Sequence, residues 1–264
     1  MLVPLFTTQA QSLSYPLGAA AVAAGNTSIS RKDLWAAFNN QAAVAFLKQP
    51  EAGIFVENRF MVTQLNRIAV AAAVPMKRIT LSITTDQIGA DSYAEIKAGT
   101  GCAIRFGDHF SAGIQLNYHH LNIGDAYDAH HAFTFEGGIF AELNKMLSMG
   151  IHIFNPLQTK WDHAEEKITA TIRGGLAFAP EPSLSLYAEV EKSTLTTAFL
   201  CAGAEYRFRE KFFFRAGFSS GTSRYSFGAG FKLQKLIIDF ASTVHSWLGY
   251  SPQLSITYSF KQYK

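Results

Sequence analysis

Four histidines and two aspartates fall within one stretch of fourteen residues, Tyr118-His119-His120-Leu121-Asn122-Ile123-Gly124-Asp125-Ala126-Tyr127-Asp128-Ala129-His130-His131. Imidazole and carboxylate suit zinc and copper, so His119, His131, Asp125 and Asp128 are the candidate ligands. Neighbouring residues of a strand point to opposite faces, so at most one histidine of each pair converges on a site. A hydrated strand end accounts for the same residues, and neither a metal nor a cofactor is assigned. The same imidazoles raise lipid hydrolysis, with His119 or His131 as base and Ser92 or Thr134 as nucleophile on an outer wall. Their spacing singles out no pair, and the chain reads as a non-enzyme.

Glu189 and Glu191 share one strand face at about 7 Å. Opposite Arg173 or Arg207 they read as an ion-pair network rather than an acid–base couple. Cys102 and Cys201 fall on opposite faces, which disfavours a disulfide, and neither has metal-ligand spacing. Gly99-Thr100-Gly101 lies inside a strand and lacks the helix that a phosphate-binding loop needs.

The elements that carry these residues repeat one unit: an alternating strand, a tight turn, a second strand and a longer polar loop. In the closing segment Leu254, Ile256, Tyr258 and Phe260 point one way, and Gln253, Ser255, Thr257 and Ser259 the other. About fourteen strands follow residue 51, near 52–60, 64–74, 77–85, 92–106, 109–121, 132–142, 145–154, 166–178, 183–192, 197–208, 211–220, 224–233, 235–243 and 252–260. Connections after even-numbered strands are short; those at 86–91, 122–131, 155–165 and 244–251 are longer. That asymmetry is the mark of an outer-membrane barrel with both termini periplasmic. The composition is 48% hydrophobic, yet no apolar run is long enough for a membrane-spanning helix. Abundant Phe and Tyr suit interfacial girdles. A net charge of +3 from scattered basic residues argues against nucleic-acid binding.

Strand parity assigns the faces. Ala94, Ile96, Ile104, Phe106, Phe110, Ile114, Leu116, Tyr118, Phe212, Phe214, Phe218, Tyr225, Phe227 and Phe231 face outward, and none is charged. Glu95, Lys97, Arg105, Glu136, Lys167, Arg173, Glu189, Glu191, Glu205, Arg207, Arg215, Lys232 and Asp239 face inward. Their signs nearly balance, which suits an interior that closes through ion pairs. Nine glycines, including Gly113, Gly138, Gly203 and Gly217, also face inward and leave room for a plug. Trp247, Leu248 and Tyr250 in the last long loop are placed to anchor at lipid headgroups or at a partner.

Residues 1–10 read as the tail of an export signal, ending near Thr8-Gln9-Ala10. Residues 11–50 read as a plug, and 51–264 as the barrel. Ser30 with Asp33 looks like a helix start, and Leu34, Trp35, Ala37 and Phe38 form an apolar stripe on a helix of about three turns that Asn39-Asn40 ends. The lumen site is therefore Leu34, Trp35, Phe38, Asn39 and Asn40 of the plug, facing Arg105, Glu136, Arg173, Glu189, Glu205, Arg207 and Arg215 of the wall.

Leu17-Gly18-Ala19, Gly25-Asn26 and Asp33-Leu34-Trp35-Ala36-Ala37-Phe38-Asn39-Asn40-Gln41-Ala42 resemble the N-terminal signature of the FadL-like superfamily. They are most similar to the PorV/PorQ-like outer-membrane proteins of the Bacteroidetes. The phrases Phe106-Gly107-Asp108-His109-Phe110 and Phe208-Arg209-Glu210-Lys211-Phe212, and the ending Tyr258-Ser259-Phe260, are similar too. Gln41 stands where that family carries Pro, and the loops are shorter than in its fatty-acid transporters. The resemblance implies an all-β, 14-stranded antiparallel transmembrane barrel whose N-terminal segment occludes the lumen. It implies a secretion-accessory or a transport role. The reading is a non-enzymatic scaffold barrel in an envelope complex, linked to type IX secretion, with outer-membrane lipid and envelope proteins as partners. The alternative is a FadL-like passive channel for small hydrophobic compounds. An apolar pocket between Leu34, Trp35, Phe38 and the wall, with a lateral opening, would mark that alternative.

Overall fold

The computed structural model describes residues 16–90, 93–124, 129–162, 165–221 and 224–261. Residues 1–10, read above as the tail of an export signal, lie outside the described residues, as do Ser92, Asp125 and Asp128. Fourteen antiparallel strands follow one another: β1 (Glu51–Asn58), β2 (Asn66–Pro75), β3 (Ile79–Ala90), β4 (Tyr93–Phe106), β5 (Phe110–Ile123), β6 (His130–Glu142), β7 (Leu147–Phe154), β8 (Thr171–Glu181), β9 (Leu184–Ser193), β10 (Phe199–Phe208), β11 (Phe212–Ser219), β12 (Arg224–Leu233), β13 (Leu236–His245) and β14 (Gly249–Ser259). Each pairs with the next, and β1 closes on β14 from Glu51↔Ser259 to Glu57↔Gln253. Closure leaves no open edge, which is the condition for strands to sit in a bilayer.

The polarity of the wall is inverted relative to a soluble sheet. In β3, Thr80, Ser82, Thr84 and Asp86 are buried, while Ile79, Leu81 and Ile83 are exposed. Ile114, Leu116, Phe133, Phe214 and Phe227 continue the exposed apolar belt. A belt of this extent on a water-facing surface would aggregate, whereas in lipid it is the favourable face. Cys102 and Cys201 are both free.

Two boundaries differ from the sequence expectation in ways that move charged residues. β3 continues to Ala90, so 86–90 is wall rather than loop. β8 begins only at Thr171, because the chain doubles back before it, 159–162 against 165–168: the Ile168 N–H donates to the Thr159 carbonyl at 2.8 Å, and Trp161 N–H to the Glu166 carbonyl at 3.2 Å. Lys167 therefore lies exposed on that excursion, not on the inner wall. Connections at one end are 76–78, 107–109, 143–146, 182–183, 209–211 and 234–235; at the other they include 59–65, 124–129 and 155–170. We call these the short-turn and long-loop ends.

The N-terminal segment runs inside the barrel. It is not one helix of about three turns but three short pieces, α1 (Ala19–Ala23), α2 (Ala36–Asn39) and a 3-10 turn over Gln41–Phe46. Ser30 caps none of them. The reason is that the wall answers the backbone donors. Ala19 N–H donates to Ser255 Oγ at 3.3 Å, Gly25 N–H to Ser226 Oγ at 2.9 Å, and Ser28 and Ile29 N–H to Glu189 Oε2 at 2.8 and 3.1 Å. A backbone satisfied from outside has no need of a continuous helix.

Candidate functional site

The site is the filled lumen. Leu34, Trp35 and Phe38 pack with Phe55, Ala69, Ala71, Ala73 and Ala241 as one buried cluster. Trp35 meets the Phe55 ring edge-on at 6.0 Å between centroids. The inward alanines of β2 make the space for that indole, which fills the gap to the wall on that side, while Leu34 and Trp35 also border the cavity described below. A second cluster joins Ala42–Ala45 to Ala103 and Phe140.

Asn39 and Asn40 hold the segment together. Asn39 Oδ1 accepts from Leu17 N–H at 3.1 Å while its Nδ2 donates to the Leu17 carbonyl at 2.8 Å. Asn40 Nδ2 donates to the carbonyls of Ile29 at 2.9 Å and Ile139 at 3.2 Å, tying segment to wall. Asn39→Ala leaves both Leu17 groups unpaired inside the lumen. It is expected to weaken local seating by about 2 kcal/mol, read as faster amide exchange over 17–24 with unchanged barrel unfolding.

Two charged networks flank the segment. Toward the short turns, Glu205 Oε2 accepts from Arg31 at 3.0 Å and Arg215 at 2.7 Å, Arg207 stands at 3.8 Å, and Arg215 also reaches Asp239 at 2.7 Å. The Arg31 guanidinium lies 4.1 Å from the Tyr187 ring centroid. Burial alone would lower the proton affinity of Arg31, but Tyr187 and Glu205 outweigh it and hold the guanidinium above its ordinary value. Burial raises the Asp33 carboxyl against the pull of Arg31, and Asp239 and Glu205 add to the rise. This network lines a cavity of about 760 Å³ beneath the segment. Arg105 sits at the same end, its guanidinium 4.6 Å from the Phe46 ring centroid.

Toward the long loops, Glu136 gathers four donors. Oε1 accepts from Lys97 at 2.8 Å, Gln115 at 3.0 Å and Asn117 at 2.9 Å, and Oε2 faces His152 Nε2 at 3.0 Å. Beside it Arg67 Nε donates to Asp86 at 2.8 Å. The space left between these groups, Phe38 and Asn39 is about 20 Å³, room for a single water. Arg173 lies against this space and pairs in register with Glu191. Glu189 instead serves the segment's backbone, not an ion pair with Arg173 or Arg207. Arg31, Arg67, Asp86, Gln115, Asn117 and His152 were absent from the sequence-derived site; strand parity places the wall members inside, but only register joins them.

The expected chemistry at the histidines separates by face. His119 points into the lumen, with Nε2 2.8 Å from Thr134 Oγ1, both buried. That pair stands away from the outer wall, where lipid hydrolysis would need it. His131 faces outward, so His119 and His131 share no site. Among the described residues no three His, Cys, Asp or Glu side chains converge on a metal position.

Solved structures similar to this chain include FadL-type barrels. A Pseudomonas aeruginosa FadL homologue aligns at 14% identity over 92% of this chain and 98% of its own, with a TM-score of 0.69. The CymD monoaromatic hydrocarbon channel aligns at 11% over 94% and 98%, TM-score 0.72. The fold is FadL-like. The Pseudomonas putida toluene transporter TodX aligns at 11% identity over 94% and 100%, TM-score 0.69. At these identities the likeness is one of fold. No protein-family model matches the chain, and no curated protein matches it.

Proposed function

We propose that this chain is an outer-membrane channel for small apolar compounds, with its short turns and both termini in the periplasm and its N-terminal segment as a plug. The observation that carries the reading is a break in the wall. Odd-numbered residues of β6 direct their backbone polar groups toward β7: the Phe135 carbonyl accepts from Asn155 N–H at 3.0 Å, and the His131 carbonyl from Asp162 N–H at 2.9 Å. Phe133, between them, has no hydrogen bond on that side among the described residues. The chain leaves the wall there because β7 ends at Phe154 and Asn155 and Gln158 take left-handed φ of 47° and 51°. An unpaired backbone is costly against lipid, and among the described residues this is a place where backbone hydrogen bonds do not seal the barrel.

Aromatic rings stand behind the break. Trp161 and Phe154 both meet His119 edge-on, at 6.0 and 6.1 Å between centroids. A membrane-dissolved solute entering beside Phe133 meets these rings before it meets charge, while the axial path narrows to about 20 Å³ at the segment. Of the structural neighbours, one is described as a monoaromatic hydrocarbon channel and another as a toluene transporter. The accessory-subunit reading, with its link to type IX secretion and to envelope protein partners, has no support in these comparisons.

The test is entry of a small aromatic such as toluene into liposomes holding the purified protein. Entry faster than into empty liposomes is expected, and Trp161→Ala should raise the rate several-fold by clearing the break. Rates equal to empty liposomes for both proteins would end the channel reading.

A further inference from the structure

Three polar heads stand side by side on the outer face of the β5–β6 ladder, toward the long loops. Tyr118 and His120 share a face of β5, and the register sets His120 directly opposite His131 on β6. His120 Nδ1 lies 3.3 Å from His131 Nδ1. Tyr118 Oη lies 2.7 Å from the same His131 nitrogen, and its ring stacks on that imidazole with planes 18° apart.

A neutral imidazole has one bare nitrogen, and the tautomer decides which one it is. With Nδ1 bare on both rings, two lone pairs face one another across 3.3 Å. A cation between the two nitrogens engages both, and the Tyr118 hydroxyl then releases His131 Nδ1. Zinc–imidazole bonds of about 2.0–2.1 Å at tetrahedral angles place two ligand nitrogens about 3.3–3.4 Å apart. We propose that His120 and His131 form a two-imidazole chelate for a divalent transition metal ion, copper(II) or zinc, with water in the remaining positions and Tyr118 at its edge.

The neighbouring histidines are engaged elsewhere. His119 faces the lumen on Thr134, and His130 Nδ1 meets the Asp162 carbonyl at 2.9 Å. Asp162 also steadies the site, since its Oδ1 accepts from the His131 backbone N–H at 2.5 Å. With two protein ligands on an open face, the site is an exchangeable surface site, not a closed structural one. It stands whether or not the chain conducts apolar solutes, because its test reads metal alone.

The test is copper(II) titration of the untagged, detergent-solubilised barrel, followed by electron paramagnetic resonance. About one bound copper per chain is expected, with the nitrogen couplings of two imidazoles. His120→Asn and His131→Asn should each weaken binding about tenfold or more, the consequence of losing one of two protein ligands. His109→Asn, at the short-turn end, should leave it unchanged. Absence of stoichiometric binding, or unaltered affinity in both variants, would overturn the proposal. Should either variant lose the heat-dependent gel shift of a folded barrel, the wild-type spectrum decides alone: couplings from two imidazoles support the site, and their absence overturns it.

Discussion

Replacing Gly217 by leucine is expected to expel the N-terminal segment from the lumen while the barrel itself still folds. A side chain at this position has nowhere to go: a Cβ would lie 2.1 Å from Gly25 N and 2.3 Å from the Ala24 carbonyl carbon. These are backbone atoms, so no rotamer change relieves the overlap. The contact is mutual, because Gly25 at φ 75° would carry a Cβ 2.4 Å from the Ala202 carbonyl oxygen. Ordinary overpacking costs about 1–3 kcal/mol where neighbours can shift, and here they cannot. The segment must lift off β10–β12, breaking the Gly25–Ser226 hydrogen bond and exposing Arg31 to loss of Glu205. Planar-bilayer recording checks the outcome: the wild-type protein should be nearly silent and the variant should conduct steadily, with protease cutting within 17–47. Gly174→Leu is the control, since that position has open space and an ordinary φ. A silent, protease-resistant Gly217→Leu barrel would show that the segment is not what blocks the lumen.

The barrel was legible because its period of two runs past the length a soluble strand needs, and because apolar faces with no layer to cover them have one physical solution. All fourteen strands are where the alternation put them, give or take their ends. The ends failed for an instructive reason. Asp86 and Gln87 look like loop residues in a soluble protein, but in an inverted barrel a carboxylate belongs inside, and Asp86 is buried against Arg67. Polarity is therefore no loop signal here. Alternation over 166–170 was equally misleading, because a short stretch that doubles back on 159–162 satisfies the same pattern as a wall strand.

The lumen was legible by composition and not by partnership. Parity puts Glu189 inside, but its partners, Ser28 and Ile29, lie some 160 residues away and offer backbone N–H groups that carry no sequence mark. The helical stripe Leu34, Trp35, Phe38 named the buried residues correctly while overstating the helix, since apolar spacing reports burial and the wall supplied the hydrogen bonds. Ala69, Ala71 and Ala73 were the missed signal: three small inward residues on one strand mark where a large side chain must fit.

Glu136→Ala should be the most destabilising single change in the wall. The carboxylate is 1% exposed and is the acceptor that lets Lys97, Gln115 and Asn117 coexist in a space with no bulk water. Removing it leaves a buried ammonium with no counter-charge at that oxygen and two amide donors competing for fewer acceptors. Breaking such a pair from one side costs about 3–5 kcal/mol, whereas replacing both partners with apolar groups of similar volume is near neutral. The expectation is thus a large loss of urea resistance in lipid vesicles for Glu136→Ala, and substantial recovery in Glu136→Met with Lys97→Met. Coupling between the two positions should exceed about 1 kcal/mol, because they share one network. Equal unfolding midpoints for wild type and Glu136→Ala would mean that water reaches this part of the lumen freely. The long-loop side would then be an aqueous vestibule rather than a seal. The distinction bears on the proposed channel function, since on that reading a sealed network leaves the gap beside Phe133 as the route by which a small apolar solute avoids buried charge.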